Sequence, residues 1–171
     1  LALQGSLSNF AGGLMILIFK PFKIGDYIVS GEYEGTVKEI NVLYTVIITF
    51  DNRKVTIPNG SISNAPVTDV TGLPTRRMDI PVGIAYAADI DKALSALLAL
   101  AADDKGVLKS PQSTAVVDSL GDSSVNLILR VWVSTENYWD VRYRLTKGVK
   151  ETFDRNGVEI PFPQMDVHIE K

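Results

Sequence analysis

The chain has 171 residues, 46% hydrophobic and 22% charged, the balance of a folded globular protein with room for one medium domain or two small ones. A formal net charge of −3, from 17 basic and 20 acidic residues, disfavours nucleic acid as a partner, because proteins that neutralise many phosphates are normally basic. The absence of cysteine excludes disulfides, thiol catalysis and thiolate-held zinc.

The N-terminus lacks the basic start of a secretory signal. The longest apolar run, Phe10 to Phe19, falls short of the roughly 20 residues that cross a bilayer. Yet the chain opens at Leu1 already inside an apolar helical pattern, so it reads as a fragment with upstream sequence missing.

Residues 1–20 predict a helix. Leu3, Leu7, Phe10, Leu14 and Ile18 recur at helical spacing, while Gly5, Asn9, Gly12 and Gly13 fall on another face. Each interior glycine costs a helix about 1 kcal/mol relative to alanine. Such a face therefore serves close packing between helices or a bend. A buried amphipathic helix of a soluble fold is an equal alternative. Lys20-Pro21 ends the helix.

Residues 21–73 predict short strands. Phe22 to Ile28 passes through a Gly-Asp turn into a strand, Gly35 to Ile40 forms a second, and Tyr44 to Phe50 a third. Asp51-Asn52 turns the chain back into Lys54 to Ile57, and Pro58-Asn59-Gly60 closes that strand. The regular spacing suggests a small barrel. Thr71 to Pro74 has the turn chemistry of a linker.

Residues 74–171 alternate strand and helix. Arg77 to Ile84 is a strand, followed by a helix with Asp89 as N-cap and an apolar face of Ile90, Leu94, Leu97, Leu98 and Ala101, ending at Lys105-Gly106. Thr114 to Leu120 and Val125 to Val133 flank the turn Gly121-Asp122, with Val125, Leu127, Leu129, Val131 and Val133 on one face. A helix from about Tyr138 to Asn156 buries Val141, Leu145, Val149 and Phe153 and stops at Gly157. Met165 to Ile169 is a final strand. The order β-α-β-β-α-β is that of a ferredoxin-like split βαβ sandwich. The predicted fold class is α+β.

Catalysis finds few candidates. His168, the lone histidine, sits near the end of the chain, where a surface position explains it. No HExxH, Walker A or GxGxxG pattern occurs. Asp89/Asp91 opens a helix, where the macrodipole favours negative charge, and Asp103/Asp104 lies in a polar loop. Neither pair has the spacing of a calcium loop. Arg76-Arg77 could bind an anion, but salt bridges across a domain junction explain the pair better. Trp132 and Trp139 read as core packing rather than a stacking platform. No catalytic residue, metal ligand or cofactor is expected.

The stretch Leu3 to Gly13, followed by Phe19-Lys20-Pro21-Phe22-Lys23-Ile24-Gly25-Asp26, resembles the segment around the pore helix of MscS-type mechanosensitive channels. The resemblance continues through Gly35-Thr36-Val37, Ile57-Pro58-Asn59-Gly60, Arg76-Arg77, Val82 to Tyr86 with Asp89-Ile90-Asp91, and Pro161 to Val167. It covers essentially the whole chain in order.

The resemblance implies the end of a pore helix over 1–20, an Sm-like β domain over 21–73 and an α/β cage domain over 74–171. It further implies a homo-oligomer of seven copies and membrane helices upstream that meet the lipid bilayer. The location would be the inner membrane, with this part on the cytoplasmic side. The function would be release of ions and small solutes under tension in hypo-osmotic shock, without catalysis. Carried over by residue, Leu1 matches a leucine that narrows the pore, Gly5 the glycine of a kink, and Gly13 a second hinge. Gly12 stands where the family often has alanine, which makes this stretch easier to bend. Met165 to Ile169 matches the small barrel that closes the cage. Two other classes compete. An Sm-like RNA-binding or scaffold ring accounts only for 21–72, and an enzyme on the ferredoxin-like part lacks a base.

Overall fold

The computed structural model describes residues 2–168. Leu1, the expected constriction, lies outside them. The chain divides into two compact units, one up to Leu73 and one from Pro74 onward.

In the first unit, helix α1 (Ala2–Phe19) is followed by strands β1 (Tyr27–Ser30), β2 (Tyr33–Ile40), β3 (Tyr44–Ile48) and β4 (Lys54–Pro58), the short helix α2 (Asn59–Ser63) and strand β5 (Val67–Asp69). Helix α1 stops because Lys20 turns left-handed, with φ 48°, and its N–H donates to Ile16 O at 2.9 Å before Pro21. The five strands form one antiparallel sheet in the order β4-β3-β2-β1-β5. The expected α+β class with an Sm-like β domain is thus met by a five-stranded antiparallel sheet with β4 and β5 at its two ends. Ile16, Phe22, Ile28, Val37, Ile47 and Ile62 form its core. Helix α2 and β5 were not foreseen. Both are too short to carry a periodic pattern.

The second unit runs β6 (Thr75–Ile84), α3 (Ile90–Asp103), β7 (Thr114–Leu120), β8 (Val125–Ser134) and α4 (Tyr138–Asn156). The sheet order β6-β8-β7, antiparallel throughout, is that of a split βαβ sandwich without its fourth strand. The five predicted residues of β8 are all buried, as are Val141, Leu145, Val149 and Phe153 of α4. Each such side chain contributes about 1.5–3 kcal/mol relative to exposure. Asp89 caps α3 as expected, its Oδ1 accepting from Lys92 N at 3.0 Å, and Gly157 ends α4 left-handed at φ 64°.

Three expectations need correction. Helix α3 buries Ala93, Ala96, Leu97 and Ala101, whereas Ile90 and Leu98 are exposed on its rim. The small alanines let the helix lie close to the sheet. Trp139 is 55% exposed, stacked on Tyr143 at 5.9 Å, not core. Finally, Met165–His168 form no strand, and Ile169 lies outside the described residues. The chain begins to follow β6, with Ala85 N donating to Glu159 O at 2.9 Å. Pro161 and Pro163, which share the parity of Glu159 along an extended chain, have no N–H to continue a ladder.

Candidate functional site

The apolar stripe of α1 does not pack on this unit: Leu7 and Ile18 are 68% and 67% exposed, and Phe10 and Leu14 are also exposed. The docked face is the polar and glycine one. Gly12, Gly13 and Ile16 are buried and Asn9 half-buried, a spacing of three, one and three that forms one helical stripe. An apolar stripe maximises transferred area, but only a stripe without side chains lets two backbones touch.

The closeness is visible atom by atom. A Cβ on Gly12 would lie 2.7 Å from both Asn59 O and Ser63 Oγ. A Cβ on Gly13 would strike the Val42 carbonyl oxygen and stand 2.7 Å from Asn59 Nδ2. From the other side, a Cβ on Gly60 would stand 2.7 Å from Ser8 Oγ and 2.8 Å from Asn9 Oδ1. Between these backbones, Gly60 N donates to Asn9 Oδ1 at 3.0 Å.

Asn59 ties the joint to the sheet. Its side chain is fully buried and bonded at both ends: Oδ1 accepts from Thr45 Oγ1 at 2.8 Å, and Nδ2 donates to Asn41 O at 2.7 Å. Its backbone N–H donates to Leu43 O at 3.0 Å. Thr45 is fully buried on β3, and Asn41 to Leu43 form the β2–β3 turn against which Gly13 sits. Every group here is neutral, so the arrangement suits mechanical connection, not proton transfer.

The beta-domain model of mechanosensitive ion channels matches residues 5–72, and the model of the MscS C-terminal domain matches residues 78–160. The closed-state crystal structure of Helicobacter pylori MscS superposes with a TM-score of 0.94 at 30% identity, covering 99% of this chain and 68% of that one. The chain belongs to the MscS family of mechanosensitive ion channels. A curated MscS family protein from Synechocystis is 42% identical over 169 residues, which is 99% of this chain and 57% of the relative. A small-conductance mechanosensitive channel from Edwardsiella ictaluri is 40% identical over 169 residues, 99% of this chain and 59% of the relative. The chain thus spans less than two thirds of the length of these curated relatives. A cryo-EM structure of Arabidopsis thaliana MSL1, with a TM-score of 0.80 at 17% identity, covers 94% of this chain and 60% of that one and shares the fold.

This MscS-family chain brings Asn9, Gly12 and Gly13 together with Asn59 and Gly60, but not Gly5, where an added Cβ would meet nothing within 4 Å. Arg76 and Arg77 are not part of the joint, and their partners lie within the second unit. Arg77 holds Asp79 through two hydrogen bonds of 2.8 and 2.9 Å, and the Arg76 guanidinium lies 3.9 Å above the Tyr138 ring. His168 is exposed. Among the described residues, no group of three His, Asp or Glu could hold a metal ion, and no helix is long and apolar enough to cross a membrane.

Sequence reasoning missed Asn59, Thr45 and Val42 as parts of the site. The available signal was Asn59-Gly60 directly after a strand, a pair that reads locally as a turn. Its real use depends on a helix some 50 residues earlier in the chain.

Proposed function

We propose that this chain is the cytoplasmic portion of an inner-membrane channel that opens under membrane tension and passes ions and small solutes in hypo-osmotic shock. The observation that carries the reading is the likeness to closed-state H. pylori MscS along 99% of the chain. The joint supports it: α1 is fixed to the β unit by its glycine face, leaving the apolar stripe for lipid or for other copies.

In this reading the protein works as a homo-oligomer, seven-fold by family resemblance. The open edges β4 and β5 lie at opposite ends of one sheet and differ in sequence. Contact between unlike edges of successive copies is head-to-tail, and a head-to-tail contact whose rotation closes makes a ring. Leu1 narrows the pore, and an apolar ring there gates by dewetting. Gly5, unobstructed within the chain, lets neighbouring helices approach or α1 bend. Tension shifts the population toward the state of larger membrane area. The chain itself does no chemistry and needs no cofactor.

The test is patch recording of the full-length protein in liposomes under suction. Stepwise currents that appear with tension are expected. Silence up to membrane rupture, with folded protein, would overturn the channel reading.

A further inference from the structure

Two asparagines stand directly before glycine, in Asn59-Gly60 and Asn156-Gly157. Asparagine deamidates most readily in this dipeptide, because glycine has no Cβ to block the approach of its backbone nitrogen. That nitrogen loses its proton and attacks the asparagine Cγ, the Cγ–Nδ2 bond breaks, and ammonia leaves. Water then opens the resulting succinimide to aspartate or isoaspartate. The reaction needs a glycine N–H that base can reach and an amide side chain free to swing onto it.

The two pairs differ in both respects. The Asn59 side chain is fully buried, with Oδ1 held by Thr45 Oγ1 at 2.8 Å and Nδ2 held on Asn41 O at 2.7 Å. Gly60 is also buried, and its N–H donates to Asn9 Oδ1 at 3.0 Å. Helix α1 is the cover over both residues. A Cβ on Gly60 would stand 2.7 Å from Ser8 Oγ, and one on Gly13 would stand 2.7 Å from Asn59 Nδ2. Ring closure would break these hydrogen bonds where no water replaces them. Asn156, by contrast, is half-buried, with Nδ2 on Thr152 O at 2.8 Å. Gly157 is exposed, and its N–H reaches Asp154 O at 3.3 Å, a long bond.

We propose that Asn59 is a modification site, that the docking of α1 holds off its deamidation, and that its conversion makes undocking permanent. When α1 lifts, Gly60 loses the Asn9 acceptor and Asn59 meets water. Neither product rebuilds the joint. Aspartate would bury a negative charge against the Asn41 carbonyl oxygen. Isoaspartate would lengthen the main chain where Gly60 meets α1.

The test is peptide mass spectrometry of the full-length protein, held in mildly alkaline buffer until Asn156 has measurably converted, with and without concentrated guanidinium chloride. In native protein Asn59 should lag far behind Asn156, and in denaturant the two should convert at comparable rates. Asn9→Ala should speed Asn59 about fivefold, the factor that one hydrogen bond of ordinary net strength gives, and leave Asn156 unchanged. Asn59 converting as fast as Asn156 in native protein would overturn the protection. An Asn59 rate unmoved by Asn9→Ala would do the same, and so would equal acceleration at both sites, which marks global unfolding. Asn59→Asp, one of the two products, tests the consequence by amide exchange. Exchange should quicken in α1 and stay as in wild type in α4. Unchanged exchange in α1, or loosening shared by α4, would overturn the permanent undocking.

Discussion

Gly5→Ala and Gly13→Ala should act in opposite directions. Both remove a helix glycine, and propensity alone makes each change favourable by about 0.5–1 kcal/mol. At Gly5 nothing stands within 4 Å of the added methyl, so that gain is kept. At Gly13 the methyl meets the carbonyl oxygen of Val42, with Val42 C and Asn59 Nδ2 at 2.7 Å. Two of these atoms are backbone, and the Asn59 amide is fully buried and hydrogen-bonded, so none can swing aside. Helix α1 or the β2–β3 turn must retreat. Overpacking of this kind costs about 1–3 kcal/mol, and loss of the Asn9–Gly60 bond adds about 1 more, which together outweigh the propensity gain. The net expectation is a loss of about 2–3 kcal/mol, or a lowering of the unfolding temperature by about 4–10 °C at this size. Thermal unfolding of the full-length protein measures it, and amide exchange in α1 and residues 41–43 assigns it to the joint. A Gly13→Ala protein as stable as wild type would refute the reasoning, as would equal damage from Gly5→Ala. Altered gating in a Gly5→Ala channel of undiminished stability would support a role for Gly5 against neighbouring helices.

Asn59→Ala should destabilise by about 2–4 kcal/mol, because it strands the buried Thr45 hydroxyl and removes the donor to Asn41 O; denaturant unfolding followed in the first unit checks it. Asn59→Asp should be worse at neutral pH, since a carboxylate would face the Asn41 carbonyl oxygen. The two hydrogen bonds from the Arg144 guanidinium, helped by Gly106 N, hold the Asp104 carboxyl below its ordinary 3.8. A lowered folded value stabilises above the ordinary one, and that contribution is lost as pH falls through the lower value. Arg144→Gln should therefore flatten the acid side of the stability profile below about pH 4, measured by unfolding midpoint against pH. Leu1→Ser should wet the constriction and give leak at rest in patch recordings, whereas a tight resting pore would remove Leu1 from the seal.

Much of the second unit was legible in the sequence. The alternation Val125 to Val133 places one face of a central strand in the core, and it does so because each of its side chains is large and the period is strict. The span and buried face of α4 followed from Val141, Leu145, Val149 and Phe153 in the same way. Helix α3 misled because its alanines, with little hydrophobic weight, occupy the contact while its larger residues lie at the rim. The first unit misled more deeply. In α1 the stripe with the stronger apolar signal is exposed, and the face that docks is the one a hydrophobicity pattern ranks as empty.

The sequence by itself determined where helices and central strands begin and end, because capping groups, prolines, left-handed glycines and apolar periods act within a few residues. It also carried the family, through motifs spread in order along the chain. Only the tertiary structure decided what the glycines of α1 are for. Close approach of two backbones is a property of a pair of surfaces, and the second surface, Val42 and Asn59 to Ser63, is written 30 to 50 residues away from the first. The same holds for the C-terminal segment. Its prolines and alternation are local, but its tie to Ser123 exists only once β6, β7 and β8 have been brought side by side.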